Sequence, residues 1–129
     1  MLIHGILNPQ INALLSRVRH TNTLVIADRG FPFWPQVETI DITLTDNIPR
    51  VLDVLAAIRS NFLIGAAFMA TEFAESNSEP CRAEFAQALS GIRLMVEPHG
   101  QLKQRVPAVI GLIRTADTTP YSNIILESA

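Results

Sequence analysis

The stretch "LSRVRHTNTLVIADRGFP", residues 15–32, decides how the chain is read. Its centre, Thr23–Ala27, is apolar and rich in β-branched residues, with no polar alternation. A strand of that kind is covered on both faces, as in a parallel sheet between helices. Asp28 and Gly30 end it. Upstream, Asn8 and Pro9 open a helix, since asparagine caps free amides and proline fits the first turn. Ile11, Leu14, Leu15 and Val18 then recur at the spacing of one buried helical face. The stretch therefore predicts a helix, a short turn holding His20, and a buried strand with Asp28 at its far end.

The rest of the chain repeats this alternation. "ETIDITL" (38–44) predicts a second, shorter strand, and a helix follows over 49–60 with Val51, Leu52, Leu55 and Ile58 as its apolar side. Residues 62–69 predict a third strand. "AESNSEP" (74–80) reads as a polar loop, with Ser78 capping a helix over 79–89 and Gly91 stopping it. "IRLMVE" (92–97) reads as a strand, a short helical piece follows His99, and "AVIGLIR" (108–114) and "NIILES" (123–128) read as the last strands. "FPFWP" (31–35) cannot be a central strand, because its two prolines lack amide donors. The pattern predicts an α/β fold: a three-layer α/β/α sandwich with a mostly parallel or mixed central sheet. In such sheets ligands gather beyond the strand ends, where Asp28 lies.

Length and composition narrow the function. The 129 residues fit one domain, 1–129. Hydrophobic residues make up 48%, high for a small protein, so apolar surface is expected to be kept for partner subunits. Net charge is −2 without a basic cluster, which argues against nucleic acid. The single Cys81 suits a reducing compartment. The start has neither a basic segment nor a long apolar one, so a cytoplasmic protein is expected. "NFLIGAAFMA" (61–70) is about half of the ~20 residues that cross a membrane. Zinc, P-loop, dinucleotide and serine-elbow motifs are all missing. A small nucleotide-binding protein is accordingly disfavoured.

The remaining chemistry-bearing residues each have an ordinary reading. His20 can be a helix-stop residue, although histidine titrates near neutral pH and is readily recruited for proton transfer. Asp28 can cap the turn in "ADRG". His99 can simply begin a helix, Tyr121 can be an amphipathic turn residue, and Asn123 can sit at a strand edge.

Taken in order, "HGILNPQINALLSRVRHTNTLVIADRGFP", "IDITLTDNIPRVLDVLAAI", "PHGQLKQ" and "IRTADTTPYSNIIL" resemble the D-ribose pyranase and L-fucose mutarotase family over nearly the whole chain. The resemblance implies interconversion of the ring forms of a free monosaccharide, with no cofactor and no metal. It implies His20 as the acid/base group, and Asp28, His99, Tyr121, Ser122 and Asn123 as sugar-binding residues. It also implies a homo-oligomeric ring, commonly a decamer, in which a neighbouring chain completes each site. "IDITLTDNIP" and "TPYSNIIL" look like the ribose branch, while "FP" after "DRG" leans towards fucose. Three positions depart from the family pattern. "GHTD" is "RHTN" here, "DAG" is "DRG" with Arg29 expected beside the pocket, and the Gly-Val ending is replaced by "ESA". The alternatives that stay open are an L-fucose mutarotase and a sugar-binding protein without catalysis on the same scaffold.

Overall fold

The computed structural model describes all residues, Met1–Ala129. Helix α1 spans Pro9–Arg17, and the Asn8 side chain accepts the Ile11 amide at 3.0 Å, as its capping position predicts. Strand β1 is Thr23–Ala27, matching the sequence reading residue for residue. The remaining elements are β2 (Thr39–Asp41), α2 (Val51–Arg59), β3 (Ile64–Ala70), α3 (Glu72–Ser76), α4 (Glu79–Ala88), β4 (Arg93–Glu97), α5 (His99–Gln104), a 3-10 turn (Val106–Ala108), β5 (Gly111–Arg114) and β6 (Ile124–Ser128).

The six strands form one mixed sheet in the order β2-β5-β1-β6-β3-β4. β1 pairs parallel with β5, β5 with β2, and β3 with β4, whereas β6 runs antiparallel to both β1 and β3. Every strand except β6 therefore points the same way, and β6 joins a parallel group on each side.

Alternate residues of each strand serve opposite layers, as the pleat requires. Leu24 and Ile26 of β1, with Ile124 and Leu126 of β6, pack under α1, α2 and α4. Val25, Ala27 and Ile125 face the other layer, built from Leu102 of α5, Val106, Phe31 and Val37. This is the three-layer sandwich expected, with the α5 side much the thinner.

Several boundaries differ from the sequence reading, each for a local reason. β2 stops at Asp41 because the Asp41 carboxylate takes the Thr43 amide and hydroxyl at 2.9 and 2.6 Å and turns the chain. The polar run 74–80 is not all loop: α3 occupies its first part, with Phe73 buried beneath it. β5 begins at Gly111 because Val106–Ala108 first form a 3-10 turn. Asn123 lies just before β6 rather than in it.

Gly111 is needed where it stands. A Cβ there would lie 2.6 Å from Leu14 Cδ1. Leu14 is fully buried and has nowhere to swing. Gly111→Ala is therefore expected to destabilise the fold by about 1–3 kcal/mol, the usual cost of forced overpacking. A urea midpoint equal to wild type would contradict this.

Candidate active site

The C-terminal ends of the parallel strands and the N-terminal end of β6 lie along one edge of the sheet. Asp28 follows β1, Asn123 precedes β6, Glu72 follows β3, and His99 follows β4. Along that edge the topology gathers residues that are far apart in sequence. An open cavity of about 190 Å³ is lined by Asp28, Gly30, Phe31, Pro32, His99, Tyr121 and Asn123. It is small beside typical pockets of ~300–1,000 Å³, which suits one small ring rather than a nucleotide.

The polar walls are fixed by direct bonds. Asn123 Nδ2 donates to Asp28 Oδ2 at 3.0 Å, and the Asp28 amide donates to Asn123 Oδ1 at 2.7 Å. The Gly30 amide donates to Asp28 Oδ1 at 2.9 Å. Burial pushes the Asp28 carboxyl above its ordinary value, and the Gly30 and Asn123 hydrogen bonds offset only part of that rise. His99 meets Tyr121 edge-on with ring centres 5.1 Å apart, and Phe31 at 6.1 Å. Its Nδ1 is buried without a partner, as is the Ser122 hydroxyl next to the cavity. Tyr121 sits at φ 55°, and this left-handed turn lets it reach the cavity just ahead of β6.

Burial lowers the His99 pKa from its ordinary value, with Lys103 adding to the effect and Glu72 and Asp28 opposing it. A histidine depressed in the folded state contributes stability above its unfolded pKa of ~6.5 that is lost as pH falls through the folded value. Between pH 7.5 and 5, wild type is thus expected to lose more stability than His99→Gln. Parallel urea titrations would check this, and identical pH slopes would refute it.

Supporting residues that the sequence reading missed hold these walls. Both Glu72 carboxylate oxygens accept the His99 amide at 3.1 Å. Asn77 Nδ2 donates to the Pro120 carbonyl at 2.9 Å, anchoring the Tyr121 turn. Arg114 donates to the carbonyls of Asp28, Arg29 and Pro32 at 3.2–3.3 Å and clamps the loop after β1.

The structure brings together Asp28, His99, Tyr121 and Asn123, with buried Ser122 between the last two. His20 is not among them within the chain. It is exposed at the opposite end of β1, a strand of five residues spanning about 16 Å at ~3.3 Å per residue. Its turn is ordered: the Arg19 amide donates to Asn22 Oδ1 at 2.9 Å, and the Thr21 amide to the Ser128 carbonyl at 3.0 Å. Arg29, expected beside the pocket, turns away instead. It pairs with Asp46 at 2.6 Å and lines a separate hollow with Asp41 and Arg114.

The family model of the RbsD / FucU transport protein family matches residues 1–129. The chain belongs to the RbsD / FucU transport protein family. Within it, this RbsD / FucU chain is 37% identical to the D-ribose pyranase of Coprothermobacter proteolyticus, over 95% of this chain and 93% of that protein. It is also 37% identical to the D-ribose pyranase of Geobacillus kaustophilus, over 96% of this chain and 90% of the relative. Bacillus subtilis RbsD, solved in complex with D-ribose, superposes with a TM-score of 0.92 at 30% identity, covering 100% of this chain and 98% of that one. The Streptococcus pneumoniae fucose mutarotase, solved with L-fucose, shares the fold at a TM-score of 0.83 and 16% identity, covering 99% and 98% of the two chains.

Proposed function

We propose that this RbsD / FucU chain is an isomerase that interconverts the ring forms of a free monosaccharide, most closely as a D-ribose pyranase converting pyranose to furanose. The observation that carries this reading is the cavity at the sheet edge, where a carboxylate, an imidazole, a phenol and an amide converge in a chain more than one-third identical to D-ribose pyranases. Asp28 and Asn123 offer an acceptor and a donor to sugar hydroxyls, and charge-assisted bonds of this kind are the stronger ones. Tyr121 and the exposed edge of the His99 ring line the same cavity, and Phe31 closes the apolar side.

Opening the ring needs one proton delivered to the ring oxygen and one removed from the anomeric hydroxyl. The C–O bond of the hemiacetal breaks, leaving an aldehyde. Reclosure through a different hydroxyl gives the other ring size, with no net gain or loss of protons. His20 is the proposed proton-transfer group, and the step needs neither cofactor nor metal.

In this reading His20 reaches the cavity of an adjacent protomer. A head-to-tail contact of that kind closes into a ring, and a decamer is the assembly the family resemblance favours. Exposed Leu2, Ile3, Leu7, Phe33 and Leu63 are apolar surface that such an assembly would cover. The single domain 1–129 would act in the cytoplasm. No helix is long and apolar enough to cross a membrane.

Saturation-transfer NMR on D-ribose and L-fucose tests the proposal. Faster exchange between ring forms with ribose supports the pyranase. Faster exchange with fucose alone favours the mutarotase branch, while calorimetric sugar binding without exchange would leave a sugar-binding protein.

A further inference from the structure

Arg114 is the last residue of β5 and lies beside Ala27 of β1 in the parallel register. It is not part of the cavity wall. Its side chain instead reaches along the loop that follows β1. There Nη1 donates to the carbonyls of Asp28 and Arg29, each at 3.3 Å, and Nη2 donates to the carbonyl of Pro32 at 3.2 Å. A planar guanidinium carries a fork of donors that can serve several carbonyls at once, which the compact ammonium of a lysine cannot. Arg114 enters none of the four ion pairs, so no carboxylate competes for these donors.

The other polar groups of the loop have separate partners. The Asp28 amide is tied to Asn123, the Arg29 amide to the Asp117 carbonyl, and the Gly30 amide to the Asp28 carboxylate. The carbonyls of Asp28, Arg29 and Pro32, by contrast, all depend on one side chain. Two of those three bonds are solvent-exposed, so water can replace the donor there at little cost in stability. Water cannot hold the three carbonyls in one fixed arrangement. A peptide that turns at Asp28 swings the carboxylate that projects from it into the cavity.

We infer that Arg114 is a positioning residue for the ligand of the cavity, because it fixes the peptide from which the Asp28 carboxylate projects. The identity of that ligand rests on the sugar reading; the loop geometry does not.

In D-ribose ring exchange, Arg114→Met is expected to raise KM about tenfold, as a charge-assisted hydrogen bond from Asp28 loses its geometry. The kcat should stay within about twofold, because Asp28 holds substrate and transition state alike. Arg114→Lys keeps the charge and is expected to recover little of the loss. Arg59→Met removes another arginine clamp, on the carbonyls of Ala88 and Ser90 outside the cavity wall, and is expected to leave KM unchanged. A second measurement needs no sugar. In amide hydrogen exchange followed by NMR, Asp28 and Gly30 are expected to exchange about tenfold faster in Arg114→Met, while the amides of β1 keep their protection. A wild-type KM in both Arg114 variants, full recovery by lysine, or unchanged exchange at Asp28 and Gly30 would each overturn the inference. Unfolding of both variants would overturn it as well, since Arg114 would then be a folding residue. A wild type inert towards ribose and fucose would remove the sugar reading alone, and the amide measurement would still decide the role of Arg114.

Discussion

Replacing His20 by alanine is expected to slow sugar ring exchange by about 10²–10⁴-fold, the usual worth of a positioned acid/base group. Sugar affinity should change far less, because Asp28, His99, Tyr121 and Asn123 stay in place. Stability should also hold, since the His20 side chain is exposed on a turn fixed by main-chain bonds. The position of His20 gives the experiment a second arm. If the group acts on a neighbouring protomer, His20→Ala mixed with Asp28→Ala should recover activity in hybrid particles, because some cavities then combine an intact His20 with an intact Asp28. Were His20 to act within its own protomer, mixing would recover nothing. An exchange rate unaltered by His20→Ala would remove the catalytic role altogether.

The second large effect is on folding. Asp117 is 2% exposed, and its carboxylate is the acceptor for two amides, Val51 at the start of α2 at 2.9 Å and Thr119 at 2.8 Å. Its own carbonyl accepts the Arg29 amide at 3.1 Å. The buried side chain thus ties the head of α2 to the loop ahead of Tyr121, while the residue's main-chain carbonyl holds the loop after β1. Asp117→Ala leaves both amides without an acceptor, and hydrogen bonds to charged groups are worth ~1.5–3 kcal/mol each. A loss of about 3 kcal/mol is expected in urea unfolding, and Asp117→Asn, which keeps one oxygen, should lose about half as much. A variant with wild-type stability would show that water replaces the carboxylate at no cost.

Those two residues also mark how far the sequence could be read. The start of α1 and both ends of β1 were legible to the residue because their signals are local: Asn8 and Pro9 at the helix start, and an unbroken apolar run for the strand. Asp28 and Asn123 could be proposed from a resemblance, and the antiparallel placement of β6 is what joins them across 95 positions. Glu72, Asp117 and Arg114 were invisible because each serves main-chain groups distant in sequence, and no spacing rule reports such a partner. α3 was missed because five residues rich in Glu and Ser look like a loop until Phe73 finds its core. The Arg29 direction depended on Asp46, seventeen residues away, which drew the guanidinium off the cavity.

β6 lies between β1 and β3 and is the sole strand linking the two parallel groups. A fragment ending before Ile124 would hold two detached half-sheets, each with a bare inner margin. Neither half can become a stable intermediate with a sealed core, so the transition should be all-or-none. It should also be slow for a chain of this length, because the keystone strand must find one partner about a hundred residues away and the other about sixty, and topologies dominated by distant pairings fold late.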